Sequence, residues 1–273
     1  NEAHRTEGQP DRNMEYLIYQ TLVGAWPIDT DRMLTYVEKA SREAKTYTSW
    51  TAQNAEYEAA LRAFVENIME DDAFVSMVDE LVERIRRAGW VNSLAMTALK
   101  LTAPGVPDVY QGSELWNLSL VDPDNRRPVD FAARERMLSE LSQLSPGEIM
   151  DRLDEGLPKL WLINRGLALR TSMPDAFGPD GGYEPLEAGG NAAAHCFAFV
   201  RGSEASGQAV TVVPRLPLTR AGKWGDTYLK LPPGKWKSVL TEERYDGGTV
   251  RVSKLLGTAP VCILAREEAD DSE

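Results

Sequence analysis

Apolar residues recur at helical spacing through the first hundred positions of the chain. Tyr16, Leu17, Gln20, Val23 and Gly24 mark an amphipathic segment that stops at Pro27, because proline disfavours helix in the residue before it. Met33, Leu34, Val37 and Ala40 predict a second helix, with Asp29 or Thr30 as its cap. Tyr57, Leu61, Phe64, Val65 and Ile68 predict a third. The cleanest stripe is Phe74, Met77, Val78, Leu81, Val82 and Ile85, with charged residues between and Gly89 as the expected C-cap. Residues 91–101 supply another apolar helix. It feeds a short strand at 104–110 that carries Pro104-Gly105-Val106-Pro107, and a polar, aromatic loop follows. Beyond the loop, 131–144 reads as a charged surface helix that halts before Pro146-Gly147. A further helix has Pro158 in its first turn and runs through Leu160, Ile163, Leu167 and Leu169.

The pattern then changes period. Gly and Pro cluster between 174 and 190, and β segments follow at 196–200, 209–213, 227–231, 236–240, 249–252 and 261–265. Pro232-Pro233-Gly234 and Asp246-Gly247-Gly248 read as turns between them. Six short strands so spaced predict an antiparallel sandwich or curled sheet, with the apolar helix at 158–169 as the nearest cover for one face.

Charge narrows the partners. Thirty basic against forty-two acidic side chains give −12, a surface that repels nucleic acid and anionic membranes. No apolar stretch approaches the ~20 residues that span a bilayer. Cys196 and Cys262 both lie in apolar runs, so buried thiols are expected rather than a disulfide, which fits a reducing cytoplasm. The chain opens at Asn1 in a polar stretch and reads as cut from something longer. With only His4 and His195 available, neither histidine-based acid–base chemistry nor a metal site is expected, and His195 reads as a packed or capping residue.

The candidate chemistry concentrates in two places. The loop after 110 carries Glu114, Trp116, Asp122, Asp124, Arg126 and Arg127, and Tyr110 and Gln111 open it. Flat rings suit pyranose faces, and carboxylates with guanidinium forks suit sugar hydroxyls. The same residues also fit an Asp–Arg network that holds the loop, with Glu114 orienting its neighbours and Trp116 as a core aromatic. A second cluster holds Lys45, Tyr47, Thr48, Ser49, Trp50 and Asn54, where Lys45 suits a hydroxyl donor and Trp50 a stacking plane. A helix terminus capped by Thr48 or Ser49 explains part of that pattern. The acidic runs at 70–72 and 267–273 read as solvated.

The run G-V-P-D-V-Y-Q-G-S-E, 105–114, resembles the last barrel strand of the α-amylase superfamily, glycoside hydrolase family 13. L-V-D-P-D-N-R-R-P-V-D, 120–130, is similar to the maltooligosyl trehalose synthase family within it. So are the stretches at 15–27, 39–50, 89–94, 213–216 and 224–227, which together cover nearly the whole chain. L-W-L-I-N-R-G-L-A-L-R-T-S-M-P-D-A-F, 160–177, resembles the eighth barrel helix, and Y-E-P-L, 183–186, with A-F-V-R, 198–201, resembles the opening strands of the carboxy-terminal β domain.

That resemblance implies an α/β barrel fragment, the last strand and helices of a (β/α)8 barrel with a helical insertion, followed by an all-β antiparallel domain. The implied divisions are 1–101, 102–177 and 178–273. The implied reaction is an intramolecular transglycosylation that turns the reducing-end α-1,4 bond of a maltooligosaccharide into an α,α-1,1 linkage. No cofactor is implied. The family's catalytic carboxylate motifs have no counterpart in this sequence, so the chain alone is expected to be inactive and to supply substrate loops and scaffold to the upstream portion of the same enzyme. A non-catalytic glucan-binding module, or a piece of another superfamily hydrolase, remains open beside that reading.

Overall fold

The computed structural model describes residues 1–203, 207–220 and 222–267. Its contacts gather into two compact units, one of Asn1–Arg86 with Leu118–Pro128, the other of Arg87–Asn117 with Val129–Glu273.

The first unit is helical, and caps set its boundaries. The Asp11 carboxylate accepts from the amides of Asn13 and Met14 and starts α1, Arg12–Ala25. Asp29, of the two candidates, caps α2, Thr30–Ala44, by accepting from the Arg32 amide. Asn54 caps α3, Ala55–Glu70, through the Tyr57 amide. Asp71 then accepts from Ala73 and Phe74 at the start of α4, Asp72–Thr102, and lies 3.2 Å from Nε2 of His4. The acidic run at 70–72 is therefore not simply solvated, because its middle residue joins two helices. Ile18, Leu22, Met33, Val37, Leu61, Phe64, Val65, Ile68, Val78 and Val82 form the unit's core.

Two expectations fail along α4. The helix runs unbroken through Gly89, which is exposed, has no positive φ and would meet nothing if given a Cβ. A glycine in mid-helix costs only about 1 kcal/mol, so it permits a stop without imposing one. The apolar stripe is also narrower than its sequence: Val78 and Val82 are buried, whereas Met77 is 61% and Leu81 45% exposed.

In the second unit the expected strand at 104–110 is absent. That segment is irregular, and no strand among the described residues pairs with it, so no ladder defines one. Phe131–Glu140 forms α5, shorter than expected. Pro146 begins a helix rather than ending one: α6, Pro146–Asp151, starts at Ser145 in a capping box with Glu148. Helix α7, Leu157–Ser172, follows with Pro158 in its first turn.

Six antiparallel strands among the described residues make one sheet: β1 Tyr183–Leu186, β2 Cys196–Ser203, β3 Gly207–Pro214, β4 Tyr228–Ser238, β5 Arg244–Arg251 and β6 Cys262–Arg266, in the order β1-β2-β3-β6-β4-β5. Alternation along β3 sends Ala209 and Val213 to the face shared with Leu160, Trp161 and Ile163 of α7, the helix expected to cover it. Val210 and Val212 join Leu229, Trp236 and Leu264 on the other. The two expected turns are not turns. Residues 227–231 and 236–240 merge into β4, and the ladder slips between Leu231, opposite Gly248, and Lys235, opposite Asp246. The Pro-Pro-Gly and Asp-Gly-Gly runs thus face each other across one bulge. Two prolines lack donors there, and a Cβ on Gly247 would lie 2.5 Å from the Pro232 carbonyl oxygen.

Two arginines close the carboxyl end of α4, where carbonyls lack helical partners. Arg170 donates to the Leu101 oxygen at 2.9 Å, and Arg201 to the Thr102 oxygen at 2.8 Å. Both cysteines are free, as expected. Cys262 is buried and Cys196 half-buried, and burial pushes each thiol up to about 12. His195 is half-buried and lies 3.2 Å from the Arg215 carbonyl through Nδ1. The acidic tail beyond Glu267 lies outside the described residues, while Glu267 itself accepts from Arg244.

Candidate functional site

The loop at 118–127 belongs to the helical unit, and its geometry is set from α2. Arg32, in the first turn of that helix, holds Asp124 through both carboxylate oxygens, each at 2.9 Å, and donates to the Leu118 carbonyl at 2.9 Å. The Leu120 amide adds a bond of 2.6 Å to the same carboxylate. Arg127 lies 3.2 Å from Asp124 Oδ1 and donates to its carbonyl and to the Ser119 hydroxyl. Lys39, two turns along α2, donates to the Asp122 carbonyl. Asp124 is only 14% exposed. The Arg32 guanidinium holds its carboxyl below the usual range, against the upward push of burial.

Asp122 and Arg126 differ from this hub. They pair with each other on the outer side of the loop, at 47% and 72% exposure. A cleft of ≈ 210 Å³ runs between α2 and the loop, lined by Asp31, Arg32, Tyr36, Lys39, Asp122 and Asp124 among others. The arrangement therefore separates a half-buried carboxylate that shapes the backbone from a more exposed acid–base pair that can exchange its partner for ligand hydroxyls.

The other expected residues take different positions. Lys45 is exposed and ends α2 in the left-handed region, at φ 56°. Trp50, 53% exposed, packs one ring face on the Arg42 guanidinium, 5.0 Å from the ring centroid. Thr48 and Ser49 cap no helix: Thr48 donates to Glu58 at 2.6 Å and Ser49 closes a small turn with Ala52.

Glu114 and Trp116 fall in the second unit. Glu114 accepts from Arg134 at 3.0 Å, and the same arginine donates to the Gly112 carbonyl. The Trp116 indole stacks on Trp90 at 5.9 Å, donates to the Leu153 carbonyl and has Lys159 over its ring. Burial, with Lys100 as a further cause, brings the Lys159 amine down to about 8.

Sequence reasoning missed Arg32, Lys39 and Arg42. All three lie on the polar side of α2, and nothing in their local spacing marks partners 92, 83 and 16 positions away. No group of His, Cys, Asp and Glu among the described residues is arranged to hold a metal ion. No helix among them is long and apolar enough to cross a membrane.

Comparison with known proteins adds what the geometry leaves open. No protein-family model matches the chain. It is 36% identical over 267 residues to a protein of Mycobacterium tuberculosis named as a maltooligosyl trehalose synthase, a match that covers 95% of this chain and 32% of that relative. The structure of maltooligosyltrehalose synthase from Arthrobacter ramosus is similar at 39% identity and a TM-score of 0.82, over 94% of this chain and 33% of that one. A Sulfolobus tokodaii structure, titled a hypothetical maltooligosyl trehalose synthase, matches at 31% identity and a TM-score of 0.70, over 94% and 32%. The chain thus spans about a third of the length of its relatives, in their carboxy-terminal portion.

Proposed function

We propose, from this kinship with the carboxy-terminal third of maltooligosyl trehalose synthases, that the chain works as part of an enzyme that isomerises the reducing end of an α-1,4-glucan to an α,α-1,1 linkage. The observation that carries the reading is the 39% identity and TM-score of 0.82 sustained over 94% of the chain. Residues 102–177 would then close a barrel, and the rest of that protein would supply the carboxylates that break and remake the glycosidic bond.

In such a reaction the α-1,4 bond opens to a glycosyl–enzyme ester, and the freed glucose turns in its subsite. Its anomeric hydroxyl, giving its proton to the acid–base carboxylate, then attacks the anomeric carbon of the glycosyl ester, and the bond from that carbon to the nucleophilic carboxylate breaks. The leaving sugar has no covalent tether, so the enclosure must hold it and keep water out. The chain's contribution is that grip. Arg126 and Asp122 are the exposed pair suited to sugar hydroxyls, and Asp124, held by Arg32, fixes the loop that presents them.

The test incubates maltopentaose with the whole protein that carries this chain, and with the chain alone. A non-reducing product from the whole protein, and nothing above buffer from the chain, is the expected result. Plain hydrolysis to reducing sugars by the whole protein would point instead to another glucan hydrolase.

A further inference from the structure

The side chains around Trp50 form a layered support. Arg42 lies beneath the indole at 5.0 Å and is itself only 13% exposed. Its guanidinium forks onto Glu58 with bonds of 2.9 and 2.8 Å and also reaches Glu38 at 2.7 Å. Thr48 donates to Glu58 at 2.6 Å, and accepts from the Asn54 amide at 3.1 Å. The loop that carries Trp50 is closed by the Ser49 and Ala52 bonds, and Tyr47 stacks on Tyr57 at 5.0 Å.

An exposed tryptophan on a loop ordinarily costs apolar exposure and side-chain freedom with no return. Here one indole face is covered by a guanidinium, and the residue still leaves 53% of its surface to solvent. Two carboxylates neutralise that guanidinium, so Arg42 is committed to holding the ring and is not free to bind an anion. What remains is a flat, oriented, uncharged surface, and the complementary ligand is the C–H face of a neutral pyranose ring.

We propose that Trp50 is a preset stacking platform for one glucose ring of an α-1,4-glucan, with Arg42 as the positioning residue that fixes its plane and Glu58 and Thr48 fixing Arg42. The choice of an α-glucan rests on the function proposed above; the platform itself rests on this geometry.

The experiment titrates the chain with maltoheptaose and follows the indole N–H resonance of Trp50, assigned with Trp50→Phe. The resonance should shift saturably, and Trp50→Ala should weaken binding about 10-fold or more. Arg42→Lys keeps the charge and loses the fork and the flat stack. It should weaken binding several-fold while the helical circular dichroism is retained, and it should broaden the Trp50 resonance in the free chain.

An unmoved resonance, or equal affinity in Trp50→Ala, overturns the platform. Equal affinity in Arg42→Lys overturns the positioning role, and tighter binding of cellohexaose overturns the α-glucan assignment. If the whole protein fails to convert maltopentaose while Trp50 still responds to maltoheptaose, the proposed function falls and the platform stands.

Discussion

Arg201 donates to the backbone carbonyl of Thr102 at 2.8 Å, tying strand β2 to the last residue of α4. The arginine is 1% exposed, also donates to the Gly182 carbonyl at 2.9 Å, and lies over the Phe177 ring. No carboxylate among the described residues pairs with it. Burial first, and then Arg170, lower its pKa. Its charge is held by carbonyl dipoles at a helix carboxyl end, where a cation is favoured.

Arg201→Met keeps much of the stem volume and removes both donors. The buried Thr102 carbonyl left unpaired costs about 1–3 kcal/mol, while the exposed Gly182 carbonyl keeps its bond from the Gly202 amide, so the melting temperature should fall by roughly 2–10 °C. Arg170→Met, at a more exposed position, should cost less. Thermal unfolding of the two variants side by side checks the order.

Glu58 should make the chain acid-sensitive in a defined window. Arg42 first and Thr48 second depress its carboxyl from the ordinary 4.5 to about 2, against the opposing push of burial. A depressed folded value means its contribution is complete above about 4.5 and is lost as pH falls through about 2. Glu58→Gln should be less stable at pH 7, and its stability should fall less steeply between those two values. Urea midpoints across that range measure both.

Trp236 is wholly buried on the sheet face away from α7, and its indole donates to the Pro232 carbonyl at 3.0 Å within the bulge. Trp236→Ala should cost about 3–5 kcal/mol. Phe at the same site restores the ring without the donor and should recover most of that loss. A denaturation midpoint unchanged in the alanine variant would contradict the burial.

The loop makes an opposed pair of predictions. In the whole protein, Arg126→Lys should lower kcat/KM by the equivalent of about 1.5–3 kcal/mol with little change in melting temperature. Asp124→Asn should lower the melting temperature as well, because it weakens the fork from Arg32 that shapes the backbone. Kinetics and melting, measured on both variants, separate ligand contact from loop support.

Much of the helical half was readable in the sequence because its signals are local. Asp29 sits one residue before an amphipathic run, and the cap and the run confirm each other. The failures share a physical origin. Gly89 and the Pro-Pro-Gly run are local punctuation, and whether a helix or strand continues past them is decided by what lies opposite. The S-P-G-E run at 145–148 did carry a local signal, a capping box, which its Pro-Gly pair masked. In the candidate site, Asp124 and Arg126 look alike as letters. Only the arrival of Arg32, from 92 positions earlier, makes one a half-buried hub and leaves the other in solvent.

The return of Leu118–Pro128 to the helical unit has a consequence for the order in which the protein is made. Helices α1 to α3 leave the ribosome long before the segment that supplies Asp124, so the cleft beside α2 is the last part of its unit to be finished. Until then Arg32 is a cation waiting for its carboxylate. The intervening residues are not free chain: α4 continues to Thr102, and Trp90 stacks on Trp116 within the second unit. Losing the eleven residues of 118–128 would leave the helical unit permanently one wall short.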